Sequence, residues 1–252
     1  MAAQDSPNAA GRGSGMGGAL LSAALVAGYG NAFTAVAWHS QGTAATVVRL
    51  AGPLGLLVGV LVWHRWREGR PLAELGLRTG RWRAGLTWGV LGGALLAVPP
   101  LLTFAVMPLV TGTSLHVTEV RGVGREALLL RLLVFTPVLV ALVEEVTFRG
   151  FLLGRLRRAL PGRPWPALLL SALAFALWHI TVNLLTVGET NVASTGPASL
   201  PVALLGGLLS VFLAALLFGA LYLHTRSLVA PFLAHWLVNA LILLALAAPP
   251  RA

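Results

Sequence analysis

The sequence predicts an all-α fold, a polytopic bundle of about seven or eight transmembrane helices. Three observations point there. Only 10% of the 252 residues are charged and 57% are hydrophobic, whereas a soluble domain carries about 25% charged residues. The apolar residues form runs of about 20, long enough to span a bilayer, instead of the short alternations of a soluble core or a β-barrel. The basic residues, all arginine, gather between those runs.

The elements follow in order. Residues 1–15, "MAAQDSPNAAGRGSG", are small and polar and read as a disordered tail. The run at 17–38 exceeds a signal-peptide core and reads as a spanning anchor. Further spans are expected at 43–63, 85–110, 127–154, 165–187, 199–222 and 228–248. A re-entrant or interfacial helix around 114–126 would make an eighth. Gly85, Gly89 and Gly93 recur every four residues, a spacing that lets helices pack closely within the bundle. There is no tandem repeat. The chain divides into a tail (1–15), N-terminal membrane helices (16–126) and a core (127–248).

Charge placement predicts the orientation. Arg65, Arg67, Arg70, Arg78, Arg81 and Arg83 follow the second span, Arg155, Arg157, Arg158 and Arg163 the fourth, and Arg226 the sixth. With seven alternating helices these share one side with Arg12, and the positive side is cytoplasmic. The N-terminus is therefore expected inside. An arginine surplus also occurs in nucleic-acid binders, but these short inter-span loops explain it as topology, so no nucleic-acid partner is expected. The partners expected are membrane lipid and a peptide or membrane-protein substrate. The arginine-only, Ala/Gly/Leu-rich composition points to a GC-rich bacterial genome and to the bacterial cytoplasmic membrane. The chain has no cysteine, which excludes disulfides, thiolate nucleophiles and cysteine-ligated zinc.

Against this apolar background a few polar residues stand out. Within "ALVEEVTFRGFLLGRL", Glu145 and Arg149 are four apart and share a helix face. Glu144 is rotated about 100° away and must look toward another helix. "FALWHITVN" puts Phe175, His179 and Asn183 on one stripe of the fifth span. "HWLVN" puts His235 and Asn239 on one face of the last. A charge at the centre of a membrane helix costs about 2.5–3.5 kcal/mol, so such residues persist when paired or functional. Counted from the arginine-rich side, Glu144, His179 and His235 lie roughly 17, 21 and 12 Å deep. The three spans can therefore bring them into one polar cavity open to the cytoplasm. His39, His64, His116 and His224 flank span ends and read as interfacial. Trp178 and Trp236, beside the two buried histidines, line the cavity or pack.

A glutamate beside a histidine can take a proton from water, and a second histidine with an asparagine can hold a developing oxyanion. The set fits hydrolysis of an amide by activated water. Glu144, His179 and His235 are also a possible three-ligand set for a divalent metal such as zinc, with water fourth, although H-E-x-x-H is absent. Spacing leaves metal and metal-free chemistry both open. The non-enzymatic alternative is a scaffold or immunity protein, or a proton- or ion-coupled transporter. Matching interrupted helices in two halves, the transporter signature, are not evident.

Together, "EEVTFR" (Glu144, Glu145, Arg149), "FALWH" (Phe175, His179) and "HWLVN" (His235, Asn239) resemble the EExxxR, FxxxH and HxxxN motifs of the CAAX protease and bacteriocin-processing (CPBP, or Abi) intramembrane proteases. The resemblance covers the C-terminal half. It implies a conical cavity open to the cytoplasm, with Glu144 and His179 activating water and His235 and Asn239 holding the oxyanion. Glu145 and Arg149 would support the site or grip the substrate's C-terminus. Both a metalloprotease and a metal-free glutamate mechanism have been put forward for the family. Its bacterial members are linked to peptide maturation, bacteriocin immunity and membrane-protein turnover.

Overall fold

The computed structural model describes residues 15–77, 81–111, 123–190 and 199–247, which are helical apart from short connections and contain no β-strand. The elements are α1 (Met16–His39), α2 (Gly42–Val62, continuing in a π-helical turn Trp63–Arg67), a 3-10 turn (Leu72–Leu75), α3 (Trp82–Thr111), α4 (Arg125–Ala159), α5 (Pro164–Trp178), α6 (Ile180–Gly188), α7 (Ser199–Thr225) and α8 (Val229–Ala247). Among the described residues six helices are long and apolar enough to cross a membrane, and the pair α5–α6, bent by 42°, is a seventh candidate when taken as one broken span. The protein is thus a multi-pass membrane protein, with spans at the expected places. The expected tail up to residue 14, His116, and the 114–126 helix as far as residue 122 lie outside the described residues.

Lipid as solvent explains the outer surface. Leu25, Val47, Leu95, Leu109, Leu133 and Leu205 all face outward, Leu109 with 84% of its surface exposed. Such a surface is untenable in water and costs nothing in hydrocarbon.

The core forms around α4. This helix is not regular: π-helical stretches at Arg131–Leu142 and Val146–Leu152 flank a single α-turn, Val143–Glu145. Pro137 lies in the first stretch and has no N–H to give the ladder. Wide π-turns often mark functional positions, and here they bracket the two glutamates. Phe148, Leu152, Leu153 and Leu156 are fully buried on this helix. The 3-10 turn tucks beneath it: Leu75 is 0% exposed, and a side chain at Gly150 would meet Leu75 O at 2.9 Å. Part of the arginine-rich connection is therefore core, which its composition does not disclose.

The most extensive helix pairing joins α3 to α8. Gly85, Gly89 and Gly93 lie against Val229, Leu233 and Leu237 respectively. The four-residue glycine spacing thus serves packing inside the bundle, as expected.

His64, just past the end of α2, is buried within the protein. Its Nδ1 is 3.5 Å from Glu68, a residue that also pairs with Arg155 and, at 2.9 Å, with Arg158. Arg155 is likewise buried near the end of α4. The cluster ties the end of α2 to the end of α4, so both arginine-bearing connections lie at one end of the bundle, as the alternation of spans requires.

Candidate active site

Glu144 and Glu145 occupy the α-turn between the π-stretches of α4 and are both buried. Glu145 is the anchor. Its Oε1 accepts hydrogen bonds from Arg149 Nη1 at 2.9 Å and from His235 Nδ1 at 2.8 Å. The Arg149 guanidinium also donates to Ala215 O at 3.3 Å and lies between the rings of Phe175 and Phe218, 4.3 and 5.1 Å from their centroids. Arg149 is 2% and Glu145 0% exposed, so the pair is enclosed by the surrounding helices.

His235, on α8, stacks on Phe218 with centroids 4.8 Å apart and meets the edge of Phe175. His179 sits at the bend between α5 and α6 with φ −93° and ψ 6°. The sequence reading placed it within a continuous span; the helix instead breaks at this residue. Its Nδ1 is 2.8 Å from Phe175 O. A carbonyl only accepts, so Nδ1 carries the proton and Nε2 presents a lone pair in the neutral ring. The same holds for His235, whose Nδ1 faces the Glu145 carboxylate.

These constraints aim both rings at Glu144. His179 Nε2 and His235 Nε2 each lie 3.8 Å from Glu144 Oε2, too far for a direct hydrogen bond. Glu144 Oε2 is buried and has no hydrogen-bond partner among the described residues. Two lone pairs and a carboxylate oxygen therefore converge without a donor among them. A water molecule, which donates two hydrogens, satisfies that arrangement.

Zinc is tested by the same geometry. Both imidazoles are held through Nδ1, as metal-ligating histidines usually are. Tetrahedral donors at about 2.0–2.1 Å from a metal stand about 3.3 Å apart, closer than the 3.8 Å seen on both sides. No group of three His, Cys, Asp or Glu residues among the described ones is placed to hold a metal ion. The donor set does not fit zinc as it stands.

Phe175 is buried, one turn before the break. It accepts the His179 proton on its carbonyl and touches Arg149, Phe148, His179 and His235 with its ring. Asn239 lies one turn along α8 from His235, half-buried, and no hydrogen bond holds its side chain among the described residues. Trp178 packs edge-on to Phe148 and against Gly30 of α1. The Trp236 indole donates to Leu132 O at 2.8 Å and ties α8 to α4. Both tryptophans act in packing.

Sequence reasoning missed Asn31. From α1 its Nδ2 donates to Leu177 O at 2.7 Å and to Ala27 O at 2.8 Å, while its Oδ1 accepts from Thr181 N at 2.8 Å. One carboxamide thus satisfies a carbonyl and an N–H that flank the break at His179. The available signal was a lone asparagine in an apolar span, which is itself unusual.

The fold and the site define a polytopic helical membrane protein with a buried carboxylate–imidazole centre assembled from three spans. Residues 126–241 match the family model described as type II CAAX prenyl endopeptidase Rce1-like, and this segment is similar to that family. The match agrees with the resemblance carried by the three motifs, and at family level it supports a CAAX-type intramembrane protease. No match was found among curated proteins or among solved structures.

Proposed function

We propose that the protein is an intramembrane endopeptidase that hydrolyses peptide bonds of membrane-associated proteins or peptides with a water activated by Glu144 and His179. The carrying observation is the approach of both histidine Nε2 atoms to one oxygen of Glu144, each at 3.8 Å.

A water held between Glu144 Oε2 and His179 Nε2 gives a proton to the carboxylate as its oxygen bonds to the scissile carbonyl carbon. The oxyanion that forms accepts a hydrogen bond from the Asn239 carboxamide, and a second from His235 Nε2 once that ring takes up a further proton from the cytoplasmic water, with Glu145 as counter-ion. The carbon–nitrogen bond then breaks, and the proton on Glu144 passes to the leaving amine. Burial of the centre strengthens each electrostatic contribution. In this reading the protein lies in the bacterial cytoplasmic membrane, N-terminus inside, with the centre reached from the cytoplasm.

The test is cleavage by purified variants. Glu144→Ala and His179→Ala abolish turnover while insertion and folding persist, and peptide termini from cells carrying Glu144→Ala show precursors left uncleaved. Normal turnover by either purified variant overturns the assignment. Proton-gradient-dependent flux in proteoliposomes without proteolysis would instead identify a transporter.

A further inference from the structure

Away from the buried centre, a cavity of about 450 Å³ opens at the arginine-rich end of the bundle, within the usual range of small-ligand pockets, about 300–1,000 Å³. Its polar lining is Arg70, Glu74, Arg157, Arg158, Arg163 and Tyr222. Four cations thus face one carboxylate. Glu74 is occupied by Arg70 at 2.9 Å, and Arg158 turns to Glu68 at 2.9 Å, an acid it shares with Arg155. Arg157 and Arg163 are exposed and have no ion pair among the described residues. The pocket therefore holds a positive charge that its own acids do not neutralise.

Its position selects the anion. The walls come from the last turn of α4, the first turn of α5 and the end of α7. Trp66 and Trp165 are exposed at this same end, 76% and 71%, where indoles mark the headgroup level of a bilayer. From Trp165 an outward stripe of Leu169, Leu173 and Leu177 descends α5, an apolar track for an acyl chain below the pocket. We infer that this pocket binds the phosphate-bearing headgroup of an anionic phospholipid, with Arg157 and Arg163 as its free cations. The inference does not depend on the protease reading.

Delipidated protein in neutral detergent is titrated with short-chain phosphatidylglycerol, with phosphatidylcholine of equal chain length and with inorganic phosphate, bound copies being counted by native mass spectrometry. Phosphatidylglycerol binds saturably and more tightly than the other two. Arg157→Gln/Arg163→Gln weakens it about 25-fold, a factor of about five per arginine, and Arg163→Gln alone about fivefold, both with an unchanged melting temperature. Unchanged affinity in the folded double variant, or equal binding of phosphatidylcholine, overturns the site. Phosphate binding as tightly as the lipid makes it a soluble-anion site and overturns the lipid assignment.

Discussion

Adjacent glutamates on α4 meet different fates. Glu145 Oε1 is shared by a guanidinium and an imidazole, whereas Glu144 Oε2 faces two ring nitrogens across a gap. Their substitutions therefore separate stability from chemistry. Arg149→Ala strands a buried carboxylate and costs about 3–5 kcal/mol, visible as a large loss of thermal stability in detergent. Arg149→Lys fails as well, because an ammonium cannot stack between Phe175 and Phe218 while bonding both Glu145 and Ala215 O. Glu144→Gln breaks no ion pair with arginine, so it leaves the melting temperature near wild type while removing cleavage by about 100-fold or more. A large stability loss in Glu144→Gln would show that the two roles are not separate.

The bend between α5 and α6 gives the first element-scale prediction. A helix broken at His179 leaves backbone groups without helical partners, and Asn31 on α1 meets two of them. Asn31→Ala removes those bonds at about 1–3 kcal/mol for each group left unsatisfied. The bend then loosens and His179 Nε2 drifts from Glu144. A positioning role predicts a fall in kcat with KM nearly unchanged, measured in a bilayer at a temperature where the variant is fully folded. Normal kcat per folded molecule would reduce Asn31 to a structural contact. The α3–α8 pairing offers a second test. A methyl at Gly89 would stand 2.8 Å from Leu233 Cβ and 2.9 Å from Ala230 O, so Gly89→Ala destabilises by about 1–3 kcal/mol. Gly59, on α2, has nothing within 4 Å of the same methyl, and Gly59→Ala is neutral or stabilising, since alanine is the better helix former. The two melting temperatures in one detergent decide it.

For the whole molecule the arginines predict a topology, and the absence of cysteine makes it measurable. Single substitutions Arg67→Cys and Arg163→Cys, from connections joined at one end through Glu68, react together with an impermeant maleimide. They do so only after the membrane is opened if that end is cytoplasmic. Labelling of either one in intact cells would invert the proposed orientation. Hydropathy and charge are properties of a local stretch, so the sequence alone determined the membrane class, the seven apolar segments and the polar residues each one carries. It also paired Glu145 with Arg149, because four residues along one helix is a local distance. Which oxygen of which glutamate meets which ring depends on helix rotation and on the break at His179. Packing between segments more than a hundred residues apart sets both, as Asn31 against Leu177 and Thr181 illustrates. Only the tertiary structure decided those contacts, together with the burial of His64 and Leu75 and the enclosure of Arg149, for the energy of each lies in partners the chain brings from afar.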